Sequence, residues 1–185
     1  MTLDPWENTQ QSMLKIEDAR PEDVETMRTI TRDSWLKIYP NEKYGITAKD
    51  IADIDWYNPE GLAKRQKEIA ENGETVRTFV LKNSKNETGG FCKASKYDDH
   101  GEINAMYLRQ ELQGKGLGKE LLQKALEWLG SDKDIKLRVV AYNSHAIEFY
   151  KKSGFQETAN KVSYDGTKLP NGKELPRIEM IKQHI

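Results

Sequence analysis

The spacing of hydrophobic and polar positions changes several times along the chain, and each change predicts an element. Residues 13–19, MLKIEDA, alternate as a strand with one buried face does. Arg20-Pro21-Glu22-Asp23 then places proline and acids where a first helical turn favours them, predicting a helix to about Tyr39, just before Pro40. Over residues 47–72, Thr47 with Asp50 three positions on resembles a capping box, and Asn58-Pro59 interrupts the pattern, so two helices or one kinked helix are expected. From Thr75 the period becomes two. TVRTFVLKN and GGFCKASKY read as strands joined by the turn-rich stretch from Asn83 to Gly90, and Asp98-Asp99-His100-Gly101 leads into a third strand, EINAMYL. After a glycine-rich turn at 114–118 come an apolar-striped helix to about Leu129, a strand IKLRVVA and a helix from Asn143 to about Ser153. Strands near 155–163 and 176–182, separated by a loop rich in Gly, Pro and Asn, complete the pattern.

A β-meander set between helices is neither strict β–α alternation nor an all-β pattern. It predicts an α/β fold of three layers, a mixed and mostly antiparallel sheet of about seven strands flanked by about four helices. The 185 residues suit one core, so residues 13–185 are expected to form a single domain and residues 1–12 a flexible N-terminal extension.

Composition removes several classes of function. No window approaches the roughly 18 uninterrupted apolar residues of a membrane helix, and the polar start lacks the order of a signal peptide, so a soluble cytoplasmic protein is expected. The single cysteine, Cys92, has no internal disulfide partner and rules out Cys/His zinc spacings, so no metal is expected. A net charge of -1 and a pI near 6.3 give no basic footprint for nucleic acid or an anionic membrane. The charge is nevertheless uneven, -6 over residues 1–60 and +5 over residues 61–185.

The glycine turn holds the first candidate chemistry. Leu112-Gln113-Gly114-Lys115-Gly116-Leu117-Gly118-Lys119 lies between a strand and a helix, where exposed N–H groups at a positive helix terminus suit phosphate or pyrophosphate. A P-loop is excluded, because Gly114 and Gly118 enclose three residues where four are needed and Glu120 follows Lys119. The even spacing of Gly114, Gly116 and Gly118 also fails the dinucleotide fingerprint. What fits is Q-x-x-G-x-G, formed by Gln113, Gly116 and Gly118, followed by a helix with Leu117, Leu121, Leu122, Ala125, Leu126 and Leu129 on its inner face. A plain structural turn has the same composition.

A second segment, Asn143-Ser144-His145-Ala146-Ile147-Glu148-Phe149-Tyr150-Lys151-Lys152-Ser153-Gly154-Phe155, reads N-x-x-A-x-x-F-Y-x-x-x-G-F. The two together resemble the signatures of the GNAT superfamily of acetyl-CoA-dependent N-acetyltransferases. The resemblance is close over residues 88–158 and elsewhere extends only to element order. It implies transfer of an acetyl group from acetyl-CoA to a primary amine of a small molecule or peptide, by direct attack in a ternary complex. A non-catalytic acyl-CoA-binding sensor on the same fold is the alternative reading.

The resemblance also implies roles for individual residues. Backbone N–H groups from Gln113 through Gly114, Lys115, Gly116, Leu117 and Gly118 to Lys119 are expected to hold the pyrophosphate of acetyl-CoA, with Lys115 and Lys119 either adding charge or simply solvated. Leu108 is expected to pair with pantetheine through its backbone, and the Met106 N–H to stabilise the oxyanion. Tyr150 would hydrogen-bond or protonate the departing thiolate, and Asn143 would bind pantetheine, cap its own helix, or both. Glu102 lies as far from the glycine loop as the catalytic glutamate of the histone-acetyltransferase branch. It is the candidate base for an amine of pKa about 10.4, with Asn104 on the same strand face as a water holder, although a polar residue at a strand start needs no such role.

The acceptor is less legible. Trp35 and Tyr39 are candidate substrate contacts together with Glu102. The wider set Trp35, Tyr39, Tyr44, Trp56 and Tyr57, with Asp33, Asp50, Asp53 and Asp55, offers cation-π contacts and charge for a cationic amine, though core aromatics and solvated acids have the same pattern. Exposed strand edges near the C-terminus suggest a homodimer.

Overall fold

The computed structural model describes residue 6 and residues 14–71, 73–159, 162–164 and 168–184. Seven strands form one sheet in the order β1-β2-β3-β4-β5-β7-β6: β1 (Lys15–Asp18), β2 (Val76–Lys82), β3 (Thr88–Lys96), β4 (Gly101–Leu108), β5 (Ile135–Val140), β6 (Gln156–Glu157) and β7 (Arg177–Lys182). Every neighbouring pair is antiparallel except β4 and β5. The helices are α1 (Val24–Ile38), α2 (Ala48–Ala52), α3 (Pro59–Ala70), α4 (Leu117–Leu129) and α5 (Ser144–Lys152). The expected α/β sheet with helices on both faces is therefore the observed one.

Local chemistry explains most boundaries. Pro21 opens a 3-10 turn that runs into α1. Thr47 and Asp50 form the expected capping box, with Thr47 Oγ1 accepting from the Asp50 N–H at 3.1 Å and Asp50 Oδ2 accepting from the Thr47 N–H at 2.8 Å. Asn58 Oδ1 accepts from the Gly61 N–H at 2.9 Å and starts α3 at Pro59, so the stretch over 47–72 is two helices. The strand expected near 155–163 is reduced to β6 and an isolated bridge of Ser163 to Arg177, with residues 160–161 outside the described set. Of the expected N-terminal extension only Trp6 is described, and it is buried with Leu81, Leu108, Leu112 and Leu117.

Two features of β4 shape the space beside it. Lys93 pairs with Ala105 while Ala94 pairs with Ile103, which leaves Asn104 as an extra residue, a β-bulge. The parallel pairing of β4 with β5 runs only from Gly101↔Ile135 to Ile103↔Leu137, after which the two strands part. The sheet divides the core. Cys92, Ile103, Leu121, Leu122, Leu137 and Tyr150 pack on the α4–α5 face, and Val24, Met27, Ile69, Val80 and Phe91 on the α1–α3 face. Among the described residues, no helix is long and apolar enough to cross a membrane.

Candidate active site

The parting of β4 and β5 opens a cleft of about 870 Å³, lined from both faces of the sheet. Ladder geometry fixes which main-chain groups of β4 face it. Arg109 N donates to Gly89 O at 2.8 Å, so that pair exchanges hydrogen bonds, and by alternation so do Tyr107 with Phe91 and Ala105 with Lys93. The N–H groups of Met106 and Leu108 therefore point away from β3, into the gap that β5 has left. The Met106 side chain packs against the α4–α5 core.

The glycine turn stands at one end of this gap. Gly114 and Gly116 have φ of 75° and 82°, a left-handed conformation that L side chains adopt at a cost. Gly116 is the N-cap of α4 and no side chain caps the helix, so its first turn presents N–H groups and the positive end of the helix dipole. Open space surrounds the position of a Cβ at Gly116, as close approach of a phosphate requires. Lys119 and Gly118 line the cleft, Lys115 is exposed outside its lining, and the Leu117 side chain is buried in the core, so only the backbone of Leu117 is available. Gln113 Nε2 donates to the Leu108 carbonyl at 3.1 Å. These residues fit the pyrophosphate and pantetheine of coenzyme A.

Asn143 caps α5 through Oδ1, which accepts from the Ala146 N–H at 3.2 Å, and it also lines the cleft. Two helical turns on, Tyr150 reaches the same cleft from a buried position between the rings of Phe149 and Phe155, with centroids at 5.2 and 5.7 Å. Burial, with smaller contributions from Cys92 and Tyr107, pushes the Tyr150 hydroxyl far above the ordinary phenol range, so it carries its proton at any working pH. The Cys92 thiol is pushed up to about 12 by burial and is not nucleophilic in the folded protein.

Trp35 and Tyr39 line the opposite end. Trp35 Nε1 donates to the Tyr107 hydroxyl at 2.8 Å, and the Trp35 ring lies 4.8 Å from Tyr39 and 5.3 Å edge-on from Trp56. Burial first, and then Tyr107, hold the Tyr39 hydroxyl well above its usual value. Tyr44 instead stacks on Tyr142 at 5.0 Å, and Tyr57 is exposed. The four acids near these aromatics lie outside the cleft, each with a partner of its own. Asp33 binds Arg32 at 2.8 Å, Asp50 binds Lys173 at 3.0 Å, Asp53 binds Lys49 at 2.6 Å, and Asp55 accepts from Asn58 at 3.2 Å.

Glu102 also falls outside the residues lining the cleft, with its carboxylate 3.6 Å from Arg138. Asn104, pushed out by the bulge, does line it, and its Oδ1 accepts from Ser95 Oγ at 2.6 Å. Sequence reasoning missed Glu68 of α3, which lines the cleft between Arg65 at 2.6 Å and Lys93. Burial alone would raise its carboxyl, but hydrogen bonds from Lys93 and Arg65 outweigh this and hold it below the usual carboxylate range. No motif marks Glu68, because only Arg65, one turn earlier, is near it in sequence and Lys93 comes from strand β3. Among the described residues, no group of three or more His, Cys, Asp or Glu is placed to hold a metal ion.

Comparison with known proteins places this geometry. A curated relative from Bacillus subtilis (strain 168), an uncharacterized N-acetyltransferase YuaI, is 27% identical over 123 residues, 63% of this chain and 65% of its own length. The alignment thus spans just under two thirds of that relative. Among solved structures, paia N-acetyltransferase from Thermoplasma acidophilum in complex with coenzyme A has a TM-score of 0.67 at 22% identity, covering 92% of this chain and 98% of that one. Spermidine N-acetyltransferase from Vibrio cholerae, in complex with CoA and spermine, has a TM-score of 0.66 at 19% identity, covering 94% and 97%. At these identities the likeness is one of fold. Residues 25–155, most of the chain and all of the parted-strand cleft except Val24 and Arg177, match the model of the acetyltransferase (GNAT) family, and the chain belongs to that family.

Proposed function

We propose that this chain transfers an acetyl group from acetyl-CoA to a primary amine of a small molecule or peptide, by direct attack with both substrates bound. The observation that carries the reading is the convergence on one cleft of a phosphate-suited turn, two outward N–H groups of β4 and a protonated buried tyrosine. Acetyl-CoA supplies a thioester, a carbonyl activated toward an amine.

The chain's own residues divide the remaining work. The N–H groups at the start of α4 bind the pyrophosphate, with Lys119 adding charge at the rim. The Leu108 N–H, freed from β3, pairs with pantetheine and sets its register along β4. The Met106 N–H, two residues earlier and so on the same edge, faces the carbonyl oxygen and stabilises the negative charge that grows there. Tyr150 offers its hydroxyl proton to the thiolate. Burial keeps this hydroxyl protonated, so it is a hydrogen-bond donor to the sulfur as the thiolate leaves. Asn104, at the bulge, and Glu102, two residues earlier on β4, supply the proton path. Asn104 orders water at the cleft wall, and Glu102 behind it accepts the amine proton through that water.

Thiol release from acetyl-CoA, followed with a colorimetric reagent across a panel of amino acids, polyamines, aminoglycosides and short peptides, tests the reading. Amine-dependent release above the hydrolysis rate supports it. A folded chain that binds coenzyme A by calorimetry yet releases no thiol with any acceptor would favour the sensor reading.

A further inference from the structure

The cleft has two chemically different ends. On the α4–α5 side lie the glycine turn and the cap of α5. On the other side, bounded by α1, α3 and the strands, the charged residues lining it are Arg28, Arg65, Lys93, Arg138, Arg177 and a single carboxylate, Glu68. Leu137 and Val139 belong to the α4–α5 core, so strand alternation turns Arg138 toward this second end. Glu68 is engaged by both Arg65 and Lys93. Two more carboxylates stand just behind the lining: Glu102, 3.6 Å from Arg138, and Glu179, opposite Arg138 in the β5–β7 register. Among the described residues, with these counted, five cations stand against three carboxylates. An amine acceptor bearing further positive charge would enter against that field.

One cation stands apart. Arg28 is half-buried on α1, lines the cleft, and among the described residues is engaged by no carboxylate and no hydrogen-bond acceptor. A half-buried guanidinium left without a counter-charge is a recognition group for a planar or tetrahedral anion, because its five donors match carboxylate and phosphoryl oxygens. Thr31 lies three residues on, on the same helix face, and Trp35 four residues beyond that. The cleft face of α1 thus runs from a cationic, hydroxyl-bearing end to the aromatic end that touches β4 through the Trp35–Tyr107 hydrogen bond. Seven helical steps separate Arg28 from Trp35, a rise of about 10 Å, which leaves room for an acceptor with its acidic group at Arg28 and its amine at the β4 edge.

We infer that the acceptor is an anionic amine, a molecule carrying a carboxylate or phosphoryl group besides the amine, and that Arg28 binds this anionic group. The inference rests on the transferase reading for the word acceptor, but the anion site itself is testable without turnover. The probes are L-amino acids and 2-aminoethylphosphonate, each paired with its carboxamide or uncharged amine counterpart, and spermidine as a polycation. Each is measured twice with the full chain: by thiol release from acetyl-CoA, and by calorimetric binding to the chain saturated with coenzyme A.

The anionic member of a pair is expected to be preferred by about tenfold or more, in KM and in binding. Arg28→Gln should raise KM for the anionic probe by about tenfold while changing kcat less than about threefold and leaving its uncharged partner unaffected. Arg28→Lys should recover part of the loss, since a point charge replaces the fork. Preference for spermidine or the uncharged amines, or an Arg28→Gln effect equal on both members of a pair, overturns the inference. Absence of anionic-probe binding to the coenzyme-loaded chain also overturns it. If anionic probes bind in an Arg28-dependent way and no amine is acetylated, the anion site stands and the transferase reading falls.

Discussion

Gln113 and Leu108 are joined by a hydrogen bond from the side-chain amide to the main-chain carbonyl at 3.1 Å, and this bond fastens the glycine turn to the end of β4. It explains why the Q-x-x-G-x-G pattern begins with a glutamine. The donor satisfies the outward carbonyl of Leu108, and the outward N–H of the same residue stays available to the cleft. Glu at this position is nearly the same shape but sets a negative oxygen against a carbonyl and beside a phosphate site. Gln113→Glu should therefore weaken coenzyme A binding more than Gln113→Ala does. The alanine variant should lose about 1 kcal/mol, the net value of one hydrogen bond, by calorimetry. Equal losses would mean that Gln113 acts only through its bulk.

The glycines of the turn are not equivalent. Gly116 has a φ of 82° with open space around a Cβ position, so Gly116→Ala meets no neighbour but places an L side chain in the left-handed region. A destabilisation of about 1 kcal/mol in denaturant unfolding is expected, with weakened coenzyme A binding. At Gly118 the added Cβ would meet Met106 Cε at 3.5 Å and Phe149 Cε2 at 3.7 Å, ordinary contacts. Gly118→Ala should leave stability within about 0.5 kcal/mol and act on the cofactor alone.

Tyr150→Phe removes one hydroxyl from a buried ring and leaves the contacts with Phe149 and Phe155 in place. Turnover should fall about 10²-fold or more, with coenzyme A affinity and melting temperature almost unchanged. The rate should show no limb from tyrosine ionisation below about pH 10, the ordinary phenol value, because burial pushes this hydroxyl upward. A variant with full turnover would remove Tyr150 from the chemistry.

Glu68 gives a stability prediction with a sign. Its carboxyl is held below the ordinary range in the folded chain, so its contribution is fully present above the unfolded value of about 4.3 and is lost as pH falls through the lower folded value. The group is partly exposed, and solvent screening keeps the effect small. Glu68→Gln should lower the melting temperature at neutral pH, and the gap to the unsubstituted chain should narrow as pH falls below about 4. A gap that stays constant from neutral pH down to about pH 3 would show that the Arg65 and Lys93 ion pairs contribute nothing.

Much of the fold was legible because it is written in neighbours along the chain. Pro21, the Thr47–Asp50 box and Asn58 set helix starts through contacts three residues long, and the change of period at Thr75 announced the meander. That the glycine turn, Asn143 and Tyr150 belong to one site was what the resemblance of two local motifs implied, and all three line the cleft. The bulge at Asn104 had no such mark, because it exists only against the register of β3. It is the reason that Asn104 lines the cleft while Glu102 stands behind it beside Arg138.

The sequence by itself determined the order of strands and helices and the turn suited to phosphate, since hydrogen-bond period, capping and glycine conformation act over a few residues. Only the tertiary structure decided the character of the acceptor end. The first sixty residues carry a net charge of -6, yet their acids near the aromatic cluster are spent in ion pairs outside the cleft, Asp33 and Asp53 with near neighbours and Asp50 with the distant Lys173. The charges that face it, on Arg28, Arg65, Lys93, Arg138 and Arg177, come from five different elements. Electrostatic potential depends on distance in space, and the sheet topology brings these residues together across about 150 positions of chain.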